Sequence, residues 1–114
     1  MTSAYGPDTT NANEPVISVI KLKIRASDAA ELVAASIDVL AEESRDLEGF
    51  LGAQVLTSVD AGTLVVLTEW SDHHAWSQSR YDARVGAMME KYHTKASTIE
   101  FELYTRRKDF PRRG

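Results

Sequence analysis

Four segments of the chain have the residue patterns of strands, and hydrophobic and polar residues alternate along the first and the last of them. In the first segment, every second residue from Ser18 to Ile24 falls on one face, and the residues between them, from Ile17 to Arg25, fall on the other. Alternation with a period of two, together with many β-branched residues, is typical of a β-strand. The four predicted strands are Val16–Arg25, Phe50–Val59, Thr63–Trp70 and Thr98–Arg106.

A very short link separates the second and third predicted strands. It consists of Asp60, Ala61 and Gly62, which are residue types that favour turns. We expect Gly62 to adopt a positive φ, because a residue without a Cβ does so at no steric cost. Two strands joined by so short a link are expected to form a β-hairpin.

Apolar residues recur at helical spacing between the first and second strands. This stripe consists of Val33, Ile37, Leu40 and Leu47. Ser27 or Asp28 is placed to cap the start of the helix, and Glu31 stands where a capping-box acid belongs. The sequence therefore predicts one amphipathic helix here, which ends at Gly49 because a glycine commonly terminates a helix.

A second helical region follows the third strand. It begins at His73 after a capping Ser71 or Asp72, ends at about Tyr92, and is expected to break near Tyr81 or Gly86. The apolar stripe in its second half consists of Val85, Met88, Met89 and Tyr92. His93 lies near the end of this region, where it is placed to complement the helix dipole.

The order of these elements, β-α-β-β-α-β, predicts an α+β fold of the ferredoxin-like kind with an antiparallel sheet. The first and last strands are neighbours in that topology. We expect Lys21 and Lys23 on the first strand to lie opposite Glu100 and Glu102 on the last one, as pairs of opposite charge. Agreement between segments so far apart in the sequence supports the topology.

The sheet face away from the helices is expected to be apolar in part, because Ile17 and Val19 lie on it. Helices on one face of an antiparallel sheet leave the other face bare. A second copy of the chain is the default way to cover such a face, since most oligomers are symmetric homodimers. The sequence therefore predicts a homodimer.

The chain of 114 residues is long enough for one domain. Residues 1–15 are polar and are expected to form a flexible N-terminal arm. Residues 16–106 are expected to form the domain, and residues 107–114 a basic C-terminal tail.

Composition excludes several classes of function. The net charge of −4 argues against nucleic-acid binding, which needs clustered basic residues. The chain has no cysteine, which excludes disulfides, cysteine-ligated zinc and thiol catalysis, and no acid stands at a familiar ligand spacing from a histidine, so we expect no metal site. No signal peptide or membrane span is visible, so we expect no membrane partner and a cytoplasmic location.

Two motifs carry a resemblance to a known family. Glu48-Gly49-Phe50-Leu51 follows the first helix, and Glu69-Trp70-Ser71-Asp72, with Ala75-Trp76 after it, follows the hairpin. In this order the motifs resemble the antibiotic biosynthesis monooxygenase superfamily of dimeric α+β barrels, over roughly Val16 to Tyr104. That superfamily includes cofactor-free oxygenases of aromatic polyketides, quinol oxygenases and haem-degrading enzymes, and related barrels serve as polyketide cyclases.

The resemblance assigns roles to individual residues. Trp70 matches a tryptophan that lines the substrate cavity of the quinone-forming members, and Trp76 stands where those members have a tyrosine. The sequence departs from these enzymes at Val55, where they have a tyrosine, and at Val66, where they have an asparagine. Arg80 stands where the haem-degrading members have a histidine, which makes haem degradation the less favoured branch.

Aromatic and imidazole side chains are concentrated between Trp70 and His93, which is typical of a cavity for a flat aromatic substrate. A helix N-terminus disfavours a charged imidazolium, so a neutral His73 or His74 is the expected base. The predicted catalytic residues are His73, His74 and Trp70, and the predicted substrate-binding residues are Ser18, Gln54, Trp76, Arg80, Tyr81 and Tyr92. A purely structural role in the core is the alternative for both tryptophans.

The resemblance implies a cofactor-independent monooxygenase that oxidises an aromatic polyketide or a related phenol, of the anthrone type, to a quinone. Dioxygen would be the co-substrate, and no metal or other cofactor would be required. Two alternatives stay open: a polyketide cyclase or isomerase on the same fold, and a non-catalytic, ligand-binding dimer.

Overall fold

One antiparallel sheet of four strands organises the chain. A computed structural model describes residues 14–42, 46–107 and 110–112. The strands are β1 (Val16–Lys23), β2 (Phe50–Thr57), β3 (Thr63–Trp70) and β4 (Thr98–Tyr104), in the order β2-β3-β1-β4. All four predicted strands and the ferredoxin-like α+β topology are therefore confirmed. Residues 1–13 of the predicted arm and residues 108, 109, 113 and 114 of the predicted basic tail lie outside the described residues.

Three α-helices pack on one face of this sheet. They are α1 (Ala29–Glu42), preceded by a short 3-10 helix (Ala26–Asp28), α2 (His73–Ser79) and α3 (Ala83–Lys95). The break predicted near Tyr81 is confirmed, because Tyr81 lies in the link between α2 and α3. The prediction that Gly49 ends the first helix is wrong: α1 ends at Glu42, and residues 47–49 form a bend and a turn that lead into β2.

Two aspartates fix where the helices after β3 begin. The Asp72 carboxylate accepts a hydrogen bond from the Ala75 backbone N–H at 2.8 Å, and the Asp82 carboxylate accepts one from the Arg84 N–H at 2.9 Å. Such caps stabilise a helix by about 1 kcal/mol. They separate α2 from α3, so that α2 lies over one end of the sheet. Within the described residues, no helix is long and apolar enough to cross a membrane.

The core lies between the sheet and the helices, toward the end of β1 where Leu22 opposes Leu64 of β3. The cluster of buried residues consists of Leu22, Leu32, Leu40, Leu64, Val66, Met88 and Tyr92. Burial of each large apolar side chain stabilises the fold by about 1.5–3 kcal/mol. The periodicity of β1 and β3 is thus explained by one covered sheet face.

The register of β1 with β4 confirms one predicted charge pair and contradicts the other. Lys21 lies directly opposite Glu100, but Lys23 opposes Thr98, and Glu102 opposes Val19. An antiparallel register with Lys23 opposite Glu100 would also place Lys21 opposite Glu102, but the actual register is offset from it by two residues, so only one lysine meets a glutamate.

In the β2–β3 hairpin, the positive φ belongs to Ala61, at 62°, and the prediction for Gly62 is wrong. The Asp60 carboxylate explains this, because it accepts hydrogen bonds from the Ser58 hydroxyl at 2.7 Å and from the Gly62 N–H at 3.0 Å. These bonds hold Gly62 in place and leave the turn residue between them in the left-handed region. They also hold the pKa of Asp60 below its ordinary value, with the Ser58 bond as the main cause.

Gly49 allows β2 to begin close against α2. Its φ is 85°, and its carbonyl oxygen accepts a hydrogen bond from the Ser71 N–H at 2.7 Å. A Cβ at this position would overlap the Cβ of Ala75 and would lie 2.7 Å from the Ser71 hydroxyl oxygen. Only glycine satisfies both the backbone conformation and the close approach.

We therefore expect Gly49→Ala to lower the free energy of unfolding by about 2–4 kcal/mol, from backbone strain and overpacking together. Gly52→Ala is the matched control, because a Cβ at Gly52 meets no atom within 4 Å. We expect that control to change stability by less than about 1 kcal/mol. Urea unfolding followed by circular dichroism measures both, and equal losses in the two variants would contradict the assignment.

Candidate functional site

A cavity of about 500 Å³ lies between the sheet and the helices, at the end of the sheet away from Leu22 and Leu64. The sheet contributes Ser18, Ile20, Val66, Thr68, Trp70 and Phe101 to its lining. The helical layer, with the link between α2 and α3, contributes Leu40, Trp76, Ser79, Arg80, Val85, Gly86, Met88, Met89 and His93. Its walls are therefore aromatic, aliphatic and thioether groups with a few polar ones, as is usual for a small-molecule site.

Trp70 forms a wall of the cavity and is buried, with 3% of its surface exposed. Its indole N–H donates a hydrogen bond to the Thr68 hydroxyl oxygen at 2.9 Å. The ring of Phe50 packs edge-on against it, with 5.3 Å between the ring centroids. The indole nitrogen is therefore already engaged, so in this geometry Trp70 can stack on a ligand but does not offer it a donor.

Two hydroxyl groups lie side by side on the sheet face of the cavity. Ser18 of β1 is directly opposite Thr68 of β3 in the strand register. Since Thr68 already accepts the Trp70 bond through its oxygen, its own proton is free to be donated elsewhere. The pair can therefore orient an oxygen substituent of a ligand that lies against Trp70.

Trp76 of α2 forms a second aromatic wall. The guanidinium carbon of Arg80 lies 5.3 Å from its ring centroid, and the His73 imidazole packs edge-on at 5.2 Å. A cation above an indole face is attracted by about 0.5–1 kcal/mol at an exposed site. The two neighbours thus hold the ring of Trp76 and the side chain of Arg80 in fixed relation to each other.

The cavity opens to solvent through a rim, defined here as the lining residues that are exposed. They are Arg80, Gly86, His93 and Phe101. The buried lining residues, such as Val66, Trp70 and Met88, form the interior. Polar groups that can carry charge are therefore confined to the rim, and the interior is largely apolar.

No carboxylate lines the cavity among the residues that the structure describes. Its ionisable lining groups are the Arg80 guanidinium and the His93 imidazole. Across the described part of the chain, no group of three or more histidine, cysteine or acidic residues is placed to hold a metal ion. The site can thus stack a planar molecule, accept a proton at His93 and attract a negative charge at Arg80.

The cavity brings together four of the residues that the sequence predicted for the site: Ser18, Trp70, Trp76 and Arg80. His73 contacts Trp76 from outside and does not line the cavity. His74 is exposed, because Ala75 and Ser79 form the buried side of α2.

Gln54 lies on the opposite face of the sheet, across from Leu67, so its predicted position facing the cavity is wrong. The cause is an irregularity in β2 between Phe50 and Gly52, which shifts the register by one residue. Past this β-bulge, Ala53 and Val55 face the helices, and the residues between them face outward.

Tyr81 and Tyr92 are also outside the cavity. Tyr81 lies in the link between α2 and α3 and has 82% of its surface exposed. Tyr92 is completely buried in the core, where its hydroxyl shares a short hydrogen bond with the Ser36 hydroxyl. Burial raises the pKa of the Tyr92 phenol, and the Ser36 bond only partly offsets this.

The sequence did not predict Thr68 and Ser79 as lining residues, and it placed His93 at the end of the aromatic and imidazole cluster without giving it a role in the site. His93 is four residues after Met89 and seven after Gly86, so one helix face presents all three to the cavity. Thr68 has the strand parity of Val66 and Trp70. These spacings were available in the sequence, but only the position of α3 over the sheet shows which side of the helix faces a cavity.

The profile of the family described as antibiotic biosynthesis monooxygenase matches residues 15–91. This chain belongs to the antibiotic biosynthesis monooxygenase family. Membership supports a monooxygenase-type role and confirms the resemblance carried by the two motifs. A comparison with curated proteins finds no match.

Solved structures share the fold of this family member. SnoaB, a cofactor-independent oxygenase from Streptomyces nogalater, superposes with a TM-score of 0.70 at 19% identity, over 87% of this chain and 99% of SnoaB. A conserved protein from Methanosarcina mazei gives a TM-score of 0.74 at 17% identity, over 84% of this chain and 96% of that one. Rv0793 from Mycobacterium tuberculosis gives 0.72 at 16% identity, over 83% and 97%.

The buried hydroxyl of Tyr92 is expected to contribute to the stability of the core. We expect Tyr92→Phe to lower the free energy of unfolding by about 1 kcal/mol, because it removes one buried hydrogen bond while Ser36 keeps its bond to the Leu32 carbonyl at 2.7 Å. Tyr81→Phe is the matched control and should leave stability unchanged, since Tyr81 is exposed. Thermal and urea unfolding measure both; an unaffected Tyr92 variant would place its hydroxyl outside the core network.

Proposed function

We propose that this protein is a cofactor-independent monooxygenase that oxidises a small aromatic polyketide or related phenol, of the anthrone type, to a quinone in secondary metabolism. The observation that carries the proposal is the cavity between Trp70 and Trp76, in a chain of the antibiotic biosynthesis monooxygenase family. Dioxygen is the co-substrate.

The shape and lining of the cavity suit a flat, electron-rich ring system. Ligand pockets for molecules of this size usually measure about 300–1,000 Å³, and this cavity of about 500 Å³ lies within that range. Trp70 and Trp76 offer aromatic faces for stacking, and Met88 and Met89 add polarisable, adaptable contacts. The Ser18 and Thr68 hydroxyls can orient a carbonyl or phenol oxygen.

His93 is the base that the geometry favours, in place of the predicted His73 and His74. It lines the cavity, whereas neither His73 nor His74 does. A histidine nitrogen can accept a proton near neutral pH, and a base must lie within reach of the proton that it removes. From the rim, His93 can reach an acidic C–H or phenol O–H of a ring held in the interior.

The proposed reaction begins when His93 removes a proton from the substrate, which leaves an electron-rich carbanion. The carbanion gives one electron to dioxygen, and the resulting radical pair recombines to a substrate peroxide that regains the proton. The peroxide then loses water, because its remaining C–H bond and its O–O bond break, and a carbonyl group is left. In total, one ring CH₂ and one O₂ become one C=O and one H₂O. The electrons come from the substrate anion, so this scheme needs no bound redox cofactor.

The protein's contribution in this scheme is position and environment. Stacking between the tryptophans holds the ring at a fixed distance from His93, which removes an entropic barrier. The apolar interior excludes water, so the neighbouring positive charge of Arg80 stabilises the substrate anion more than it would in bulk solvent.

Dioxygen uptake with an anthrone substrate tests the proposal. We expect His93→Gln to lower kcat/KM by about 100-fold or more, the usual contribution of a positioned base. His74→Gln should retain activity near that of the wild type. An oxygen electrode and the visible absorption of the quinone measure both variants, and circular dichroism checks that they fold.

Two results would contradict this assignment. Loss of activity in the His74 variant alone would restore the base predicted from the sequence. Conversion of a polyketide intermediate at the same rate without dioxygen would show a cyclase or isomerase instead of an oxygenase.

We also propose that two copies of the chain associate through the outer sheet face. This face is defined by the half-buried residues Ile17, Val19, Val65 and Leu67, which point away from the helices. On the neighbouring edge strand, Leu56 adds a side chain that is 47% exposed. An apolar sheet face of this extent is a recognised mark of an interface, and a two-fold dimer covers it on both copies at once.

Leu67→Lys tests this association, because it places a charge at the centre of the outer sheet face. We expect the variant to be monomeric at concentrations at which the wild type is a dimer, as measured by light scattering after size-exclusion chromatography. Ile37→Lys is the control: Ile37 is 49% exposed on α1, on the helical side, and the variant should stay dimeric. A monomeric wild type would contradict the proposal.

A further inference from the structure

We propose that the cavity takes an aromatic substrate that carries a carboxylate, which Arg80 binds at the rim while the ring lies between Trp70 and Trp76. The inference rests on the proposed function, in which this cavity binds the substrate, and it adds that the substrate carries a negative charge. The following observations point to it independently of the reaction.

The charge around the cavity is opposite to the charge of the chain. The chain carries 17 acidic and 13 Lys or Arg residues, for a net charge of −4. Yet among the described residues that line the cavity, none is acidic, and the guanidinium of Arg80 at the rim carries a permanent positive charge. A positive rim on an acidic protein favours an anionic ligand over a neutral or cationic one of the same shape.

The contact with Trp76 orients the Arg80 side chain without using its hydrogen-bond donors. In the described part of the chain, its side-chain contact is the approach of the guanidinium carbon to 5.3 Å from the Trp76 ring centroid, and no carboxylate lies within ion-pair distance. A cation–π contact needs no N–H hydrogen bond, so the donor edge of the guanidinium remains available for a planar acceptor. A carboxylate matches that edge with two parallel hydrogen bonds.

The depth of the cavity decides which part of the ligand lies at Arg80. The interior residues Val66 and Met88 are apolar and buried, so an ionised group would lose its hydration there without compensation. The ring system therefore enters first, and the anionic substituent stays at the rim. There it can reach Arg80 while the ring remains in contact with Trp76.

Gly86 leaves room for such a substituent. It lies within α3, where a glycine is less favourable than alanine, and it belongs to the rim. A Cβ at this position would meet no atom within 4 Å, so packing against the rest of the protein does not require a glycine. The absent side chain instead widens the rim on the side of α3.

Binding of two matched probes tests the proposal. The probes are 1-hydroxy-2-naphthoate and the neutral 1-hydroxy-2-naphthamide, which differ in charge and hardly in shape. Isothermal titration calorimetry gives their affinities. Quenching of intrinsic fluorescence locates them, because the chain has two tryptophans and both line the cavity.

We expect the wild type to bind the naphthoate about tenfold more tightly than the naphthamide, as one charge-assisted contact allows. Arg80→Gln should remove this preference and leave naphthamide affinity nearly unchanged. Arg80→Lys should keep part of it, because the charge remains while the planar donor edge is lost. Arg25→Gln is the control, since it removes the same charge beyond the far end of β1 and should keep the full preference.

The outcomes separate this inference from the proposed function. Equal affinity for the two probes, or a preference that survives in Arg80→Gln, overturns the inference. If the wild type prefers the naphthoate through Arg80 but consumes no dioxygen with any phenol, the inference is supported and the oxygenase proposal is contradicted. A wild type that takes up dioxygen equally well with neutral and anionic phenols, and binds the two probes equally, leaves the oxygenase and removes the inference.

Discussion

The pairing of β1 with β3 is the constraint on which the rest of the structure depends. Its register places Leu22 opposite Leu64 at one end and Ser18 opposite Thr68 at the other, all on the face that the helices cover. The same alternation therefore produces two different environments along one pair of strands. Large apolar residues fill the first end and form the core, whereas small hydroxyl residues leave space at the second end, and this space becomes the cavity.

The helices form the other wall of the cavity, and local hydrogen bonds fix where α2 and α3 begin. Asp72 and Asp82 cap α2 and α3, and the break between the two helices carries Arg80 to the rim of the cavity. Gly49 lets the start of β2 approach α2, which holds Trp76 above the sheet. Core packing and site geometry are thus coupled through α2, which is a single short helix of seven residues.

Much of this arrangement follows from short-range patterns, so the sequence by itself predicted it. Alternation with a period of two located the first and last strands, strand-forming residue types located the third, and turn-forming residues located the hairpin. The motifs around Gly49 and Trp70 indicated the antibiotic biosynthesis monooxygenase family, which the match over residues 15–91 confirmed. The resemblance to that family also placed Trp70 and Trp76 in the site.

Tertiary structure decided the features that depend on register or on what lies across from a residue. One β-bulge turned Gln54 outward, which no alternation pattern reveals, because a shift of one residue exchanges the two faces of a strand. Tyr92 and His93 are adjacent in α3, yet the position of that helix over the sheet places the first in the core and the second at the rim. The side-chain hydrogen bonds of Asp60 likewise gave the positive φ to Ala61 rather than to a glycine. The sequence therefore determined which elements form, and packing between them determined which side chains meet in the cavity.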